Sequence, residues 1–336
     1  MIYCEVRDKN NEVIITTVKN FAGYEDILRA PCKNLRQKTF KSEYRPYKDN
    51  SSIWLIVDGD TDLINSSRLF AKTMTLYKDM AKYLFDSYLD KIRTHAHTLR
   101  TIQGKMKQKI DSLATRKDFR AKSYKKSKEK ISKLISENLD KTSDIICQLN
   151  KRVAEIDAHI EGFDVLYLGD KSNFSKKQVD IKKVILNITT PFLLDFQNKG
   201  VKIIYSFKDK YSLDNKVEIN YKLFNLAYCN FLDNAIKYTL PDSQIVIDFN
   251  KKEDKFQIKI KMMSLRIDSD EIERIFDQGY SGRHAEADAG DGIGMSVIKK
   301  SLELMGLDIK INFDYSKSAV LDGRKYVENT FLIHTT

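Results

Sequence analysis

Three patterns of apolar and polar positions succeed one another along the chain, and each predicts its own kind of element. Up to Asp60 the apolar runs are short and β-like. Residues 2–6 and 13–18 flank the polar stretch 8–12, which reads as a hairpin turn. Residues 53–57, Ile-Trp-Leu-Ile-Val, read as a third strand stopped by Asp58, Gly59 and Asp60. So small a piece buries little surface by itself and is expected to pack on the next segment of the chain.

From about residue 63 to 165 glycine and proline almost vanish and the period lengthens. Leu69, Thr73, Leu76, Met80 and Leu84, then Phe85, Leu89, Ile92, Ala96, Leu99, Gln103, Met106, Ile110 and Leu113, advance by three and four. Such spacing marks the buried seam of a long helix or coiled coil. Ile131, Leu134, Ile135, Leu139, Ile145, Leu149, Val153, Ile156 and Ile160 form a second set. The stretch between them, residues 114–124, is polar and basic and carries no seam. Two long helices joined there make an antiparallel hairpin. One hairpin leaves a wide apolar stripe uncovered, and pairing two in a four-helix bundle covers it, so a homodimer is expected.

After residue 165 strand-like and helix-like stretches alternate. Residues 179–181 and 200–205 read as strands, 220–238 as a helix, 244–248 and 256–260 as strands, and 295–305 as a helix before closing strands. The expected fold class is α+β: a small β-containing domain over residues 1–62, a long helical hairpin over 63–170, and an α/β sandwich over 171–336 with helices on one sheet face.

Composition changes this picture only in places. Hydrophobic residues at 42% and charged residues at 31% describe a folded chain. No run approaches the ~18 consecutive apolar residues of a membrane span, and the start, MIYCEVRDKNNEV, lacks a basic segment leading into an apolar one. A cytoplasmic location is expected. Cys4, Cys32, Cys147 and Cys229 show no metal-like spacing and read as packing residues. The net charge of +11 is concentrated: twelve Lys and Arg face three acids over residues 105–133, a surplus of nine. That local field favours an acidic partner, whether protein face, nucleic acid or anionic lipid, and equally fits a solvated hairpin tip. Only Phe119 and Tyr124 interleave with the charges, which does not make a stacking platform for single strands.

Three segments carry candidate chemistry. On a helix, Asn230, Asn234, Lys237 and Tyr238 share one face. Asn is unfavourable inside a helix, so two of them four apart need a reason. An amide oxygen is a hard ligand for a divalent metal beside phosphates, and a lysine adds a point charge. The second segment, Gly290-Asp291-Gly292-Ile293-Gly294-Met295-Ser296, has closely spaced glycines before a predicted helix. Such backbone can approach phosphate, and a helix start adds positive dipole. The third, Arg274-Ile275-Phe276-Asp277 through Gly279, Tyr280, Ser281, Gly282 and Arg283, anchors an apolar pair ahead of a polar loop, residues 284–290, that could fold over a ligand.

In this order and spacing the three segments resemble the N, F and G2 boxes of the histidine kinase ATPase family, over about residues 179–336. The resemblance implies a GHKL-type ATPase domain that uses ATP and Mg²⁺. Asn234 would ligate the metal, Asn230 would position it or a water, Lys237 would meet phosphate, and Tyr238 would flank the adenine. Gly292 and Gly294 would line the phosphates, with Arg283, Gly290, Ile293 and Met295 completing the nucleotide set. The family also carries a phospho-accepting histidine on the first helix of a dimeric hairpin. His97-Thr98-Leu99-Arg100-Thr101 resembles its His-Glu-Leu-Arg-Thr box, which makes His97, Thr101 and Asn230 the candidate catalytic residues. A neutral imidazole is nucleophilic enough to attack a γ-phosphate. A receiver-domain protein is the implied partner.

Two positions depart from the family. Thr98 stands where an acid normally polarises the histidine, and Met262 where an Asp normally accepts the adenine amino group. A thioether is a weak acceptor. The leading expectation is therefore a histidine kinase phosphorylating His97. The others are a weakly catalytic ATP-gated switch and a nucleic-acid-associated ATPase.

Overall fold

The computed structural model describes residues 2–7, 13–16, 35–36, 40–47, 51–119, 123–168, 175–207, 215–253, 255–285 and 292–336. These fall into two compact units, Met1–Ala96 and His97–Thr336.

In the first unit, strands β1 (Ile2–Arg7), β2 (Val13–Thr16), β3 (Leu35–Arg36), β4 (Phe40–Pro46) and β5 (Ser52–Asp58) form one sheet in the order β2-β1-β5-β4-β3. The expected hairpin and third strand are present, with Cys4 opposite Leu55. Strands β3 and β4 are additions. Strand β4 reads Phe-Lys-Ser-Glu-Tyr-Arg-Pro, too polar to signal a strand, and it pairs along β5 from Phe40 opposite Asp58 to Pro46 opposite Ser52. Asp60 then caps α1 (Thr61–Asn65), accepting from Leu63 N at 3.0 Å. The single helix α2 (Ser67–Leu113) comes next.

At the start of α2 the residues buried within the chain form a second stripe, beside the expected Leu69–Leu76–Met80–Leu84 seam. Phe70, Met74 and Ala81 close the core with Cys4, Val6, Leu55 and Val57, while Leu76 stays 57% exposed. The sheet needed a cover, and a neighbouring stripe of the helix supplied it.

In the second unit the chain turns through α3 (Arg116–Phe119), where Asp118 accepts from both the backbone and the hydroxyl of Thr115 and pairs with Lys130. That hydrogen-bonded ion pair lowers the Asp118 pKa to about 2. The second helix is broken at Asn138 into α4 (Tyr124–Glu137) and α5 (Leu139–Phe163). Lys105 of α2 lies in the field of Arg152 and Glu155 of α5, so the chain has doubled back.

The α/β part begins with β6 (Lys177–Asp180), α6 (Ile181–Thr189), α7 (Leu193–Asn198), β7 (Lys202–Phe207) and β8 (Lys216–Ile219). It continues with α8 (Tyr221–Tyr238), β9 (Gln244–Lys252), β10 (Lys255–Leu265), α9 (Gly294–Leu304), β11 (Leu307–Leu321) and β12 (Arg324–Thr335). The sheet order is β11-β12-β10-β9-β7, with only β7 and β9 parallel, and β6 pairs with β8 separately. One core joins α6, α8 and α9 to the inward side chains of the sheet, for example Ile185, Leu232, Ile298, Ile260 and Phe331. The expected class, a long helix ahead of an α/β sandwich, holds.

Helix α5 packs along α8. Its buried residues are Thr142, Ile145, Lys151, Glu155, Ala158 and Gly162, spaced mostly by three and four, while Val153 and Ile160 of the expected seam are exposed.

Candidate functional site

Helix α8 starts where Asn220 accepts from Leu223 N at 3.1 Å. At its far end Lys199 donates from Nζ to the carbonyls of Ile236 and Lys237, at 2.7 and 3.0 Å, which satisfies oxygens that have no partner within the helix. With both ends held, the polar face is presented at a fixed height. Asn230 donates from Nδ2 to Leu226 O at 2.8 Å. Its Oδ1 is thereby left toward α9.

The first residue of α9 is Gly294, and a methyl group there would sit 3.3 Å from Asn234 Nδ2 and 3.7 Å from Asn230 Oδ1. The two asparagines and the glycine turn, more than 50 positions apart in sequence, are thus in contact distance. Side-chain capping is absent at the start of α9, where Ile293 holds the cap position, so its first N–H groups point outward unmatched by a cap. Gly292 has φ +65°, and a Cβ on it would fall 2.6 Å from both Gly279 C and Tyr280 O. Only glycine fits. Gly279 N donates to Gly292 O at 3.1 Å and ties the two loops together. Ile293 and Met295 are half-buried against the domain core. Gly290 lies outside the described residues, as does most of the expected covering loop.

The loop after β10 is pinned by Glu271, which sequence reasoning passed over. Its buried carboxylate accepts from Tyr280 OH at 2.7 Å, Arg283 N at 2.8 Å and Asp268 N at 3.2 Å. Burial pushes its pKa up, and these three donors outweigh that and hold it low. Ile275 is buried and Phe276 packs on the core, with Lys299 Nζ 5.2 Å from the Phe276 ring. The Arg283 guanidinium pairs with Asp270, and sits 3.9 Å from Asp268. It belongs to the anchor of this loop.

Lys237 pairs with Asp233 at 2.8 Å. Behind them is a charge cluster that no apolar pattern could signal. Lys151 of α5 is 2% exposed, bonded to Asp195, with Glu155 at 3.7 Å and Asp233 at 4.0 Å. Burial raises the Asp233 pKa, but Lys237, Lys151 and Lys105 reverse the balance and keep it below the ordinary value. Burial also dominates at Glu155 and pushes it up. Tyr238, half-buried, ends α8, and Thr239 comes directly after it, donating to the Met262 sulfur at 3.2 Å.

His97 and Thr101 are exposed on α2. His97 precedes Lys105 by eight residues, about 12 Å along the axis at ~1.5 Å per residue, and Lys105 feels the charges of Asp233 and Lys237.

Residues 221–332 match the family model described as "Histidine kinase-, DNA gyrase B-, and HSP90-like ATPase". These residues form an ATPase domain of that family. Two curated relatives point the same way. Sensor histidine kinase ArsS of Helicobacter pylori is 26% identical over 185 residues, 54% of this chain and 39% of that protein. Signal transduction histidine-protein kinase ArlS of Staphylococcus aureus is 29% identical over 96 residues, 28% of this chain and 21% of that protein. The chain thus covers well under half of either relative. Among solved structures, histidine kinase AdeS of Acinetobacter baumannii aligns with 71% of this chain and 97% of its own, at 12% identity and a TM-score of 0.39. Among the described residues, no helix is long and apolar enough to cross a membrane, and no three His, Cys, Asp or Glu side chains cluster as a metal site. Asn230 and Asn234 offer amide oxygens beside the start of α9.

Proposed function

We propose that the chain is an ATP-dependent protein-histidine kinase whose nucleotide site lies between α8 and α9 and whose phospho-acceptor is His97. The observation that carries this is the contact of Asn230 and Asn234 with Gly294 at an uncapped helix start. The amide oxygens suit a hard cation such as Mg²⁺, which would neutralise phosphate charge. Gly292, Gly294 and the N–H groups around Ile293 and Met295 form the phosphate cradle, and Lys237 reaches it by exchanging its pairing with Asp233. In the transfer, an imidazole nitrogen of His97 bonds to the γ-phosphorus, the bond from that phosphorus to the bridging oxygen breaks, and ADP leaves. A receiver-domain protein then accepts the phosphoryl group. In functional terms residues 1–62 form an N-terminal domain, 63–170 the dimerisation and phosphotransfer hairpin, and 171–336 the ATP-binding domain. The apolar stripes left open on α2 and α5, among them Leu76, Leu84, Val153 and Ile160, are the homodimer seam. Light scattering should give about twice the 39.0 kDa chain mass, and a clean monomer would sink the bundle.

One pair of observations favours a second reading, an ATP-gated switch without turnover. Thr98 cannot polarise His97, and the Lys151 cluster docks α5 directly on the helix that bears Asn234. Incubation with γ-labelled ATP and Mg²⁺ decides. Acid-labile, base-stable label that disappears in His97→Gln and persists in His95→Gln supports the kinase. Absence of label in wild type, with ATP binding intact, supports the switch.

A further inference from the structure

The end of the helical hairpin is a basic tip made of the last turns of α2, the single turn α3 and the start of α4. Its buried acid, Asp118, is engaged internally, accepting from Thr115 and pairing with Lys130. Ser127 Oγ donates to Phe119 O at 3.3 Å and ties α3 to α4. Ser123 caps α4, accepting from Lys126 N at 3.3 Å. These bonds fix the shape of the tip and use only one of its lysines. Lys117, Lys125, Lys126 and Lys128 are exposed, and none of the four is in an ion pair among the described residues. The first turn of α4 carries Lys125 and Lys126 and no acid, the sign that a helix dipole disfavours, so charge and dipole add.

Two aromatic rings stand among these charges. Phe119 is 46% exposed and Tyr124 84% exposed. Phe119 ends α3 and Tyr124 starts α4, which puts both at the rim of the tip. Charge alone fits any polyanion, and the shape and the rings narrow the choice. A small anionic ligand needs a concave site, whereas the end of a helical hairpin is convex. A nucleic acid duplex would meet the lysines through its phosphates, but its bases are stacked inside and offer the rings no partner. An anionic bilayer rewards both features. It attracts clustered lysines to its surface, and it takes up aromatic rings at the level of the headgroups.

We propose that the hairpin tip binds an anionic lipid surface, with Lys117, Lys125, Lys126 and Lys128 against the headgroups and Phe119 and Tyr124 seated between them. This goes beyond the proposed kinase activity and does not depend on it.

The test is co-sedimentation of the full chain with vesicles of phosphatidylcholine alone and of an equal mixture of phosphatidylcholine and phosphatidylglycerol, while melting of each variant reports folding. Wild type should sediment with the mixed vesicles and stay in solution with phosphatidylcholine alone, and raised salt should release it. Lys125→Gln, Lys126→Gln and Lys128→Gln together should weaken binding at least about a hundredfold, since each lysine near such a surface counts for roughly fivefold. Phe119→Ser with Tyr124→Ser leaves the charge unchanged and should weaken binding at least about tenfold. All five side chains are exposed, so both variants should melt with wild type. Failure of wild type to sediment, or equal sedimentation with both kinds of vesicle, overturns the proposal. An unchanged affinity in the ring variant also overturns it, because the contact would then be ionic alone. Random duplex DNA that binds more tightly than the mixed vesicles, in wild type and ring variant alike, would assign the tip to nucleic acid instead.

Discussion

The two ends of the candidate nucleotide site are built on different principles. Its phosphate end is assembled from helix starts, glycines and amides, and it rests on a buried charge cluster around Lys151. Its other end borders paired strands, where Met262 of β10 and Asn329 of β12 stand opposite each other. At the first end the family's residue types are kept, because backbone N–H groups and a cation allow few substitutes.

Breaking the foundation of the phosphate end should have the largest effect. Lys151→Met leaves Glu155, Asp195 and Asp233 without their buried cation, and should cost about 3 kcal/mol of stability in urea unfolding. Hydrogen exchange should show α8 losing more protection than β10 and β12. Equal loss at both ends would erase the distinction between them.

Asn234→Ala comes next. It should weaken Mg²⁺-dependent ATP binding by more than about a hundredfold, the loss that even an outer-shell partner of a metal can cause. The same variant should bind no better with GTP, since the phosphate end is common to both. Unchanged affinity would move the site elsewhere.

At the base end a gain is expected. Met262→Asp restores an acid opposite Asn329 and should raise ATP affinity severalfold, up to about tenfold, without helping GTP. A variant that binds both nucleotides more weakly would show that the base does not lie against Met262.

The smallest effect is a pH dependence confined to the phosphate end. Asp233 has its pKa depressed in the folded chain by Lys237, Lys151 and Lys105, against the pull of burial. A depressed carboxylate contributes stability that is present above its unfolded value of about 4 and is lost as pH falls through the folded value. Wild type should therefore lose more stability below about pH 4 than Asp233→Asn does. Parallel acid curves would mean that Lys237 is not held by this pair.

Much of the helical and strand content was legible because periodicity survives without neighbours. Residues 220–238 predicted a helix and α8 spans Tyr221–Tyr238; residues 295–305 predicted one and α9 spans Gly294–Leu304. Strand β4 was not legible, since Lys41, Glu43 and Arg45 hide a strand that only its pairing with β5 creates. Asn329 left a trace that could have been noticed, a polar residue in the inward register between Val327 and Phe331.

By itself the sequence determined which elements form and which residue types they carry, because propensity, period and glycine placement act within a few residues of each other. It set Asn230 and Asn234 on one helical face and put glycines where a second helix begins. Tertiary structure decided which face of each helix is buried. On α2 the covered stripe is Phe70, Met74 and Ala81, and on α5 it is Lys151, Glu155, Ala158 and Gly162, while richer apolar stripes stay open. The physical reason is that burial depends on the partner surface. A charged or small stripe is buried wherever another element offers its counter-ions or a close approach, and those partners sit far away along the chain.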